Sequence, residues 1–480
     1  MSSYIVLLLG LFILWIIAVW SNGLEIGAPA SIVCFMFVAA SALCILGYGA
    51  WNTVTLSPLT ISIIWCGCAT FLLGGAIAYH TRSRGNIRFD SLKQELVKRK
   101  FSFQVNTWWL ILMMIALGVI AVVRVTSMKR MAINAGANVS GLIETSQWYR
   151  NTFNRLFSAG TVRVGVGETF YEKQILRFST VITNVSVVCL LIGISQGNRR
   201  TVFVSGILVI MCCIYSLLTD GGRGGILFRM VTIAYGLYIL QIRKGTKIRT
   251  INWIFCLLSI ITLAEVLPLF YYSAALVGRK SSETLLRYLS FYFGCGIPSM
   301  EVKLQLGIPD YSFGQNVFYG FYTLLYKLGI TEELNGYANE WLILGGHKSN
   351  IYTAWYRYYA DFGALGVVVL PALYGWLFTK IYQKVKKSES LLFWGLFCAW
   401  SYSLFDLSRD DYFYGQFLAT APLINNALSI FVLMVICQPA RADIYFQTTE
   451  SQKAFRLEKN GRKWKDTFSQ IVQHQVISFR

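Results

Sequence analysis

The apolar residues of this chain follow neither the 3.6-residue period of a surface helix nor the two-residue period of a half-buried strand. They run in blocks of about 17 to 23 residues, the length that carries a helix across a ~30 Å hydrocarbon core at 1.5 Å per residue. Eleven such spans are predicted, at 4–20, 26–47, 58–79, 107–125, 175–195, 201–218, 226–242, 251–272, 362–383, 391–407 and 414–437. A twelfth apolar stretch, 285–297, reads as interfacial or re-entrant, because counting it as a span would place the Lys-rich segment 380–390 outside. The expected fold class is all-α, a polytopic integral membrane protein of about eleven transmembrane helices with two long outward-facing loops, the second partly helical and aromatic-rich.

Composition agrees with that pattern. Of 480 residues, 55% are hydrophobic and 14% are charged, which excludes soluble enzymes, fibrous proteins and disulfide scaffolds. Ten of the eleven cysteines lie in apolar segments, where they read as small core side chains, and Cys295 falls in a loop. The first span lacks a basic n-region and a small-residue cleavage pattern, so it reads as a retained helix.

Lys and Arg in short loops set orientation. Segments 80–100, 196–200, 243–249 and 380–390 hold seventeen of them, whereas 21–25, 48–57, 219–225 and 408–413 hold two. With eleven spans, all four basic loops face the cytoplasm together with a basic tail, 438–480, and the N-terminus lies outside. Loop 21–25 falls inside without any basic residue. The formal charge of +20 is thus spread between apolar blocks and not gathered on a soluble face, which argues against nucleic acid as a partner. No repeat or linker divides residues 1–437, which form one transmembrane domain.

Two long loops, 126–174 and 273–361, face outward in this scheme, and loops on a rigid scaffold carry function. Between Tyr311 and Tyr359 there are fourteen aromatic residues. They suit either an aromatic belt at the lipid headgroups or a platform for sugar rings.

Charged residues at the outer surface need a reason. Arg223 lies in the Gly-rich turn Thr219–Gly225 at the start of a helix, with Arg229 less than two turns deeper. Such a turn suits an anion, or closes tightly while Arg223 reaches headgroups. Segment 345–366 gathers His347, Lys348, Asn350, Tyr352, Arg357 and Asp361. There Asp361 could cap the following helix, His347 could be a solvated loop residue, and Arg357 could contact phospholipid. Arg279, Lys280 and Arg287, with Arg124 at an outer helix end, add charge on that side. Asp410 and Asp411 read as surface charge ahead of a metal pair. The chain has no Asp-x-Asp, GxSxG, HExxH or CxxC, so metal-dependent nucleotide-sugar transferases, serine hydrolases and zinc enzymes find no support. Few ionisable groups and no paired broken helices mark the mid-membrane segments, which counts against an ion-coupled transporter.

The arrangement resembles the O-antigen and capsule repeat-unit polymerases (Wzy) of bacteria and, more distantly, the O-antigen ligases. Gly222-Arg223-Gly224 is similar to the family's Ser-Arg-Gly at a helix start. Asn350-Ile351-Tyr352-Thr353, followed by Tyr359-Ala360-Asp361-Phe362-Gly363 and Gly366, resembles its Asn-aliphatic-Tyr and acidic-apolar-Gly pattern. The ligase-like histidine before Asn is replaced by Ser349, with His347 two residues earlier. The resemblance implies a cofactor-free, metal-independent glycosyltransferase of the bacterial inner membrane. It would transfer a glycan from undecaprenyl pyrophosphate to a new lipid-linked repeat on the periplasmic face, for O-antigen or capsule, with a chain-length regulator as partner. Arg223, Arg279, Arg287 and Arg357 are then the candidate pyrophosphate ligands, Asn350 and Tyr352 join them in substrate binding, and Asp361 or His347 is the base. A lipid-linked oligosaccharide flippase or a non-enzymatic scaffold is the competing class.

Overall fold

A computed structural model of the chain describes residues 1–81, 101, 103–149, 151, 169–219, 224–257, 268, 271–272, 284–307, 313–331 and 341–439. Eight helices in it are long and apolar enough to cross a membrane. They begin with α1 (Ser2–Ser21), α2 (Pro29–Leu46), α3 (Pro58–His80) and α4 (Thr107–Asn134). After the short α5 (Leu142–Trp148) come α6 (Phe170–Gln196), α7 (Arg199–Thr219) and α8 (Gly224–Arg243). Then follow α9 (Ile248–Leu257), α10 (Leu285–Gly294), α11 (Gly296–Leu306), α12 (Tyr319–Lys327) and the eighth long helix, α13 (Ala354–Lys387). The described residues close with α14 (Leu391–Trp400), α15 (Ser403–Asp406), a π-helical turn at Phe413–Phe417 and α16 (Thr420–Ile436). Two antiparallel pairs of three-residue strands complete the fold: β1 (Phe103–Val105) with β4 (Cys437–Pro439), and β2 (Leu342–Leu344) with β3 (His347–Ser349).

Local chemistry starts the helices where the apolar blocks begin. Ser57 caps α3 by accepting from the Thr60 amide, and Pro58 occupies the first turn, where its missing N–H costs nothing. Thr169 and Glu172 form a reciprocal capping box at α6, and Gly197 ends that helix in the left-handed conformation. Outer faces remain apolar: Leu9, Ile13, Ile16, Val122, Ile210 and Phe431 are all at least half exposed. Water would not tolerate that surface, whereas lipid requires it. The protein is an all-α, multi-pass membrane protein.

Small residues let its central helices touch. A methyl group on Gly74 of α3 would lie 1.9 Å from the Ala372 carbonyl oxygen, and one on Gly375 of α13 would lie 2.1 Å from that of Phe71. Thr70 Oγ1 bridges the same pair by donating to the Val367 carbonyl at 3.0 Å. In lipid, where apolar surface alone gives helices no reason to associate, such close backbone approach supplies the dispersion contacts.

Contacts sort the connections onto two ends. At one end Glu25 Oε2 accepts from Lys386 Nζ and Tyr382 OH, both at 2.7 Å. There Arg243 also donates to the Ser388 carbonyl at 2.6 Å, and β1 pairs with β4. Loop 21–25 has no basic residue of its own, but Lys386 in the last turn of α13 reaches it. At the opposite end Tyr4 OH donates to Asn52 Oδ1 at 3.2 Å, Trp51 Nε1 to Ser290 Oγ at 3.0 Å, and the Ala354 amide to the Leu407 carbonyl at 2.9 Å.

Several expectations change. Helix α4 continues to Asn134, so Arg124 is not at a helix end; it is buried, with its guanidinium 4.7 Å above the Tyr149 ring. The stretch 285–297, not counted as a span, holds the ten-residue α10, roughly 15 Å long, and the start of α11, and Cys295 between them is buried and not in an open loop. Residues 258–267 of the predicted span 251–272 lie outside the described residues, as do 82–100, 152–168 and the tail beyond Pro439. Most consequential, α13 starts at Ala354 and not at 362, and it is two helical pieces joined at Gly363.

Candidate functional site

Gly363 has φ 61° and ψ −148°, a region essentially closed to residues with a Cβ. The chain folds back there, so that a methyl on Gly366 would come within 2.2 Å of the Tyr358 carbonyl oxygen eight residues earlier. This reversal turns 354–362 into a short inserted helix packed within the protein. Thr353 caps it by accepting from the Tyr356 amide, which corrects the expectation that Asp361 caps the long helix. Trp355, Tyr356 and Tyr358 are fully buried, and Trp355 stacks on Phe37 at 5.4 Å. These three aromatics are therefore core, whereas Phe313, Phe321 and Trp341 of the same stretch stay more than half exposed.

Arg357 projects from this inserted helix and is 1% exposed. Its Nε and one terminal nitrogen both lie 2.8 Å from Asp410 Oδ1, and the other terminal nitrogen donates to Asn316 Oδ1 at 2.8 Å. It does not face phospholipid. One turn later, Asp361 Oδ2 accepts from the Val317 amide at 2.6 Å, while its Oδ1 is buried without a hydrogen-bond partner. The Asn316 side chain and the Val317 amide thus bind both charged residues of one helical turn.

Asp410 and Asp411 are not surface charges. Asp411 is fully buried, with Oδ1 accepting from the Phe413 and Tyr414 amides at 3.0 and 3.1 Å. Burial pushes its carboxyl up to about 7. Beside it Arg409 donates to Asp406 Oδ1 at 2.8 Å and lies 4.3 Å above the Tyr292 ring.

The other predicted residues form a second group at the same end. Arg287 on α10 donates to the Ala50 carbonyl at 3.1 Å. His347 on β3 is half buried against Phe291, 5.0 Å between ring centroids, so it is not a solvated loop residue. Phe291 in turn meets Trp51 edge-on at 5.3 Å. Asn350 is half buried in the turn before α13, and Tyr352 is fully buried 5.3 Å from the Tyr356 ring. The fold therefore joins Arg357 to Asp361 and Arg287 to the surroundings of His347. Arg223 and Arg279 lie outside the described residues.

Asn316 and Asp410 carry no local sequence signal that marks them as partners of Arg357; only the fold brings them together. Among the described residues, no group of three His, Cys, Asp or Glu side chains converges as a metal site would. What the arrangement offers chemically is a carboxylate with one oxygen fixed and one unmet, beside a guanidinium whose orientation is held by two other side chains. No family model matches this chain, and no match is found among curated proteins or solved structures.

Proposed function

We propose that the protein is a glycosyltransferase that polymerises undecaprenyl-pyrophosphate-linked oligosaccharide repeats, as O-antigen or capsule, on the periplasmic face of a bacterial inner membrane. The eight long helices and the apolar α9, α14–α15 and α16 serve as its eleven crossings, and the end bearing Arg357 faces outward. In the reaction an acceptor hydroxyl attacks the donor's anomeric carbon. The bond from that carbon to the pyrophosphate oxygen breaks, and undecaprenyl pyrophosphate leaves. Asp361 takes the hydroxyl proton on Oδ1. Arg223, Arg279 and Arg287 hold the departing charge by bidentate contacts that need no change of protonation state. Arg357, committed to Asp410 and Asn316, positions Asp361 and does not itself bind the pyrophosphate.

The observation that carries this reading is the unmet Asp361 oxygen one turn from a buried, doubly anchored arginine, inside the segment that resembles the polymerase pattern. The deletion strain tests it. Single lipid-linked repeats should still reach the outer leaflet, and surface glycan should carry one unit.

A second reading, a lipid-linked oligosaccharide flippase, draws on one observation: a cavity of about 310 Å³ among the membrane helices, with Arg229 in its wall. Accumulation of single repeats on the inner leaflet of the deletion strain would select it.

A further inference from the structure

Arg229 stands on α8, roughly 7 Å beyond the helix start at Gly224. Its Nε and one terminal nitrogen are buried without a hydrogen-bond partner. A lone guanidinium among membrane helices is costly unless something compensates its charge. Among the described residues, no acidic side chain lines the cavity it borders. Asn184, Asn425, Asn426, Thr183 and Thr232, from α6, α8 and α16, do line it. The side-chain amide oxygen of Asn425 is also buried without a partner. Asn184 Nδ2 makes only long contacts, 3.4 Å to both Asn426 Oδ1 and Ser429 Oγ. Gly225 keeps the approach open, because a methyl there would meet the Ser216 hydroxyl at 2.5 Å and Arg229 at 3.4 Å.

We infer that this cavity is a binding site for a phosphate that carries hydroxyl groups, anchored by Arg229. A guanidinium fork matches phosphate oxygens in pairs. The unmet amide oxygen calls for a donor, which a ligand hydroxyl beside the phosphate supplies. At about 310 Å³ the space holds far more than one water of ~30 Å³ and reaches the lower range of ligand pockets. The inference is independent of whether the protein polymerises or flips. The same chemistry is found in a phosphoglycerol lipid headgroup and in a soluble polyol phosphate.

The test uses the purified full chain in neutral detergent and follows its melting temperature. Probes are inorganic phosphate, glycerol 3-phosphate and micelles containing phosphatidylglycerol, against sodium chloride of equal ionic strength and phosphatidylcholine. The wild type should be stabilised saturably by glycerol 3-phosphate, which points to a soluble ligand, or by phosphatidylglycerol alone, which points to a headgroup entering from lipid. Arg229→Gln should weaken that response about 10- to 150-fold, the equivalent of one charge-assisted contact. The empty variant should melt no lower than wild type, because it loses an uncompensated charge. Asn425→Leu should weaken the response to the hydroxylated probe that binds more than any response to inorganic phosphate. No stabilisation by any probe, an unchanged response in either variant, or a lower melting temperature for empty Arg229→Gln overturns the proposal.

Discussion

Arg357 and Asp410, fifty-three residues apart, meet through two nitrogens on one carboxylate oxygen, each at 2.8 Å. The pair joins the inserted helix 354–362 to the turn that leads into Phe413–Phe417. Because Arg357 is almost fully buried while Asp410 keeps some exposure, the arginine depends on the pair more than its partner does.

Removing Asp410 should therefore destabilise the protein. Breaking a buried ion pair from one side costs about 3 to 5 kcal/mol, so Asp410→Ala should lower both the melting temperature in detergent and the folded yield. Arg357→Lys keeps the charge but cannot reach Asp410 and Asn316 together. It should recover only part of the loss, as a double-mutant cycle with Asp410 will show.

The reversal at Gly363 gives a second expectation. Gly363→Ala forces a side chain into a backbone region worth about 1 to 3 kcal/mol of strain, and Gly366→Ala drives a methyl into the Tyr358 carbonyl. Both should reduce folded yield. Gly118→Ala, with no atom near its added methyl, should be neutral or stabilising by up to ~1 kcal/mol as a better helix former. Equal behaviour of all three would contradict the fold-back.

Asp411 gives a pH dependence with a definite sign. Burial raises its carboxyl to about 7, so between pH ~4 and ~7 the folded protein holds a proton that the unfolded chain releases. Its contribution to stability is complete below pH ~4 and is lost as pH rises through ~7. The melting temperature should fall across that window, and Asp411→Asn should flatten the fall.

The contacts of Glu25 and Lys386 gather basic segments at one end, which the proposed orientation places in the cytoplasm. Single cysteines at Lys244 and Lys387 should react with a membrane-impermeant thiol reagent only in inverted vesicles, and cysteines at Lys348 and Leu328 only in right-side-out ones. Labelling of Lys348→Cys from the cytoplasm would reverse the orientation and remove the proposed function with it.

Much of this architecture was legible before any coordinates. An apolar block long enough to span lipid is helical because unpaired backbone groups cannot remain there, and the ends of α2, α3 and α8 fall within a few residues of their blocks. What escaped depends on contacts between distant segments. The block beginning at 362 shows where lipid starts, not where helix starts, so the inserted helix and its reversal were hidden. Polar letters in Ser408-Arg409-Asp410-Asp411 read as surface because the burial of this turn depends on segments distant in sequence. Besides the local contacts to Asp406 and the Phe413 and Tyr414 amides, Arg357 and the aromatic rings of α10 cover it. In sequence Arg229 reads only as a neighbour of Arg223; its unmet nitrogens and the cavity beside them exist only in three dimensions.

The central claim, that Asp361 serves as the base of a glycan-polymerising site, is tested most directly with purified protein in nanodiscs supplied with one lipid-linked repeat. Wild type should yield products of two or more repeats. Asp361→Asn keeps an oxygen to accept the Val317 amide but loses the proton acceptor, and it should be slower by about 10²- to 10⁴-fold at unchanged melting temperature. Polymer formed at the wild-type rate by Asp361→Asn, or no elongation by the wild type, would contradict the account.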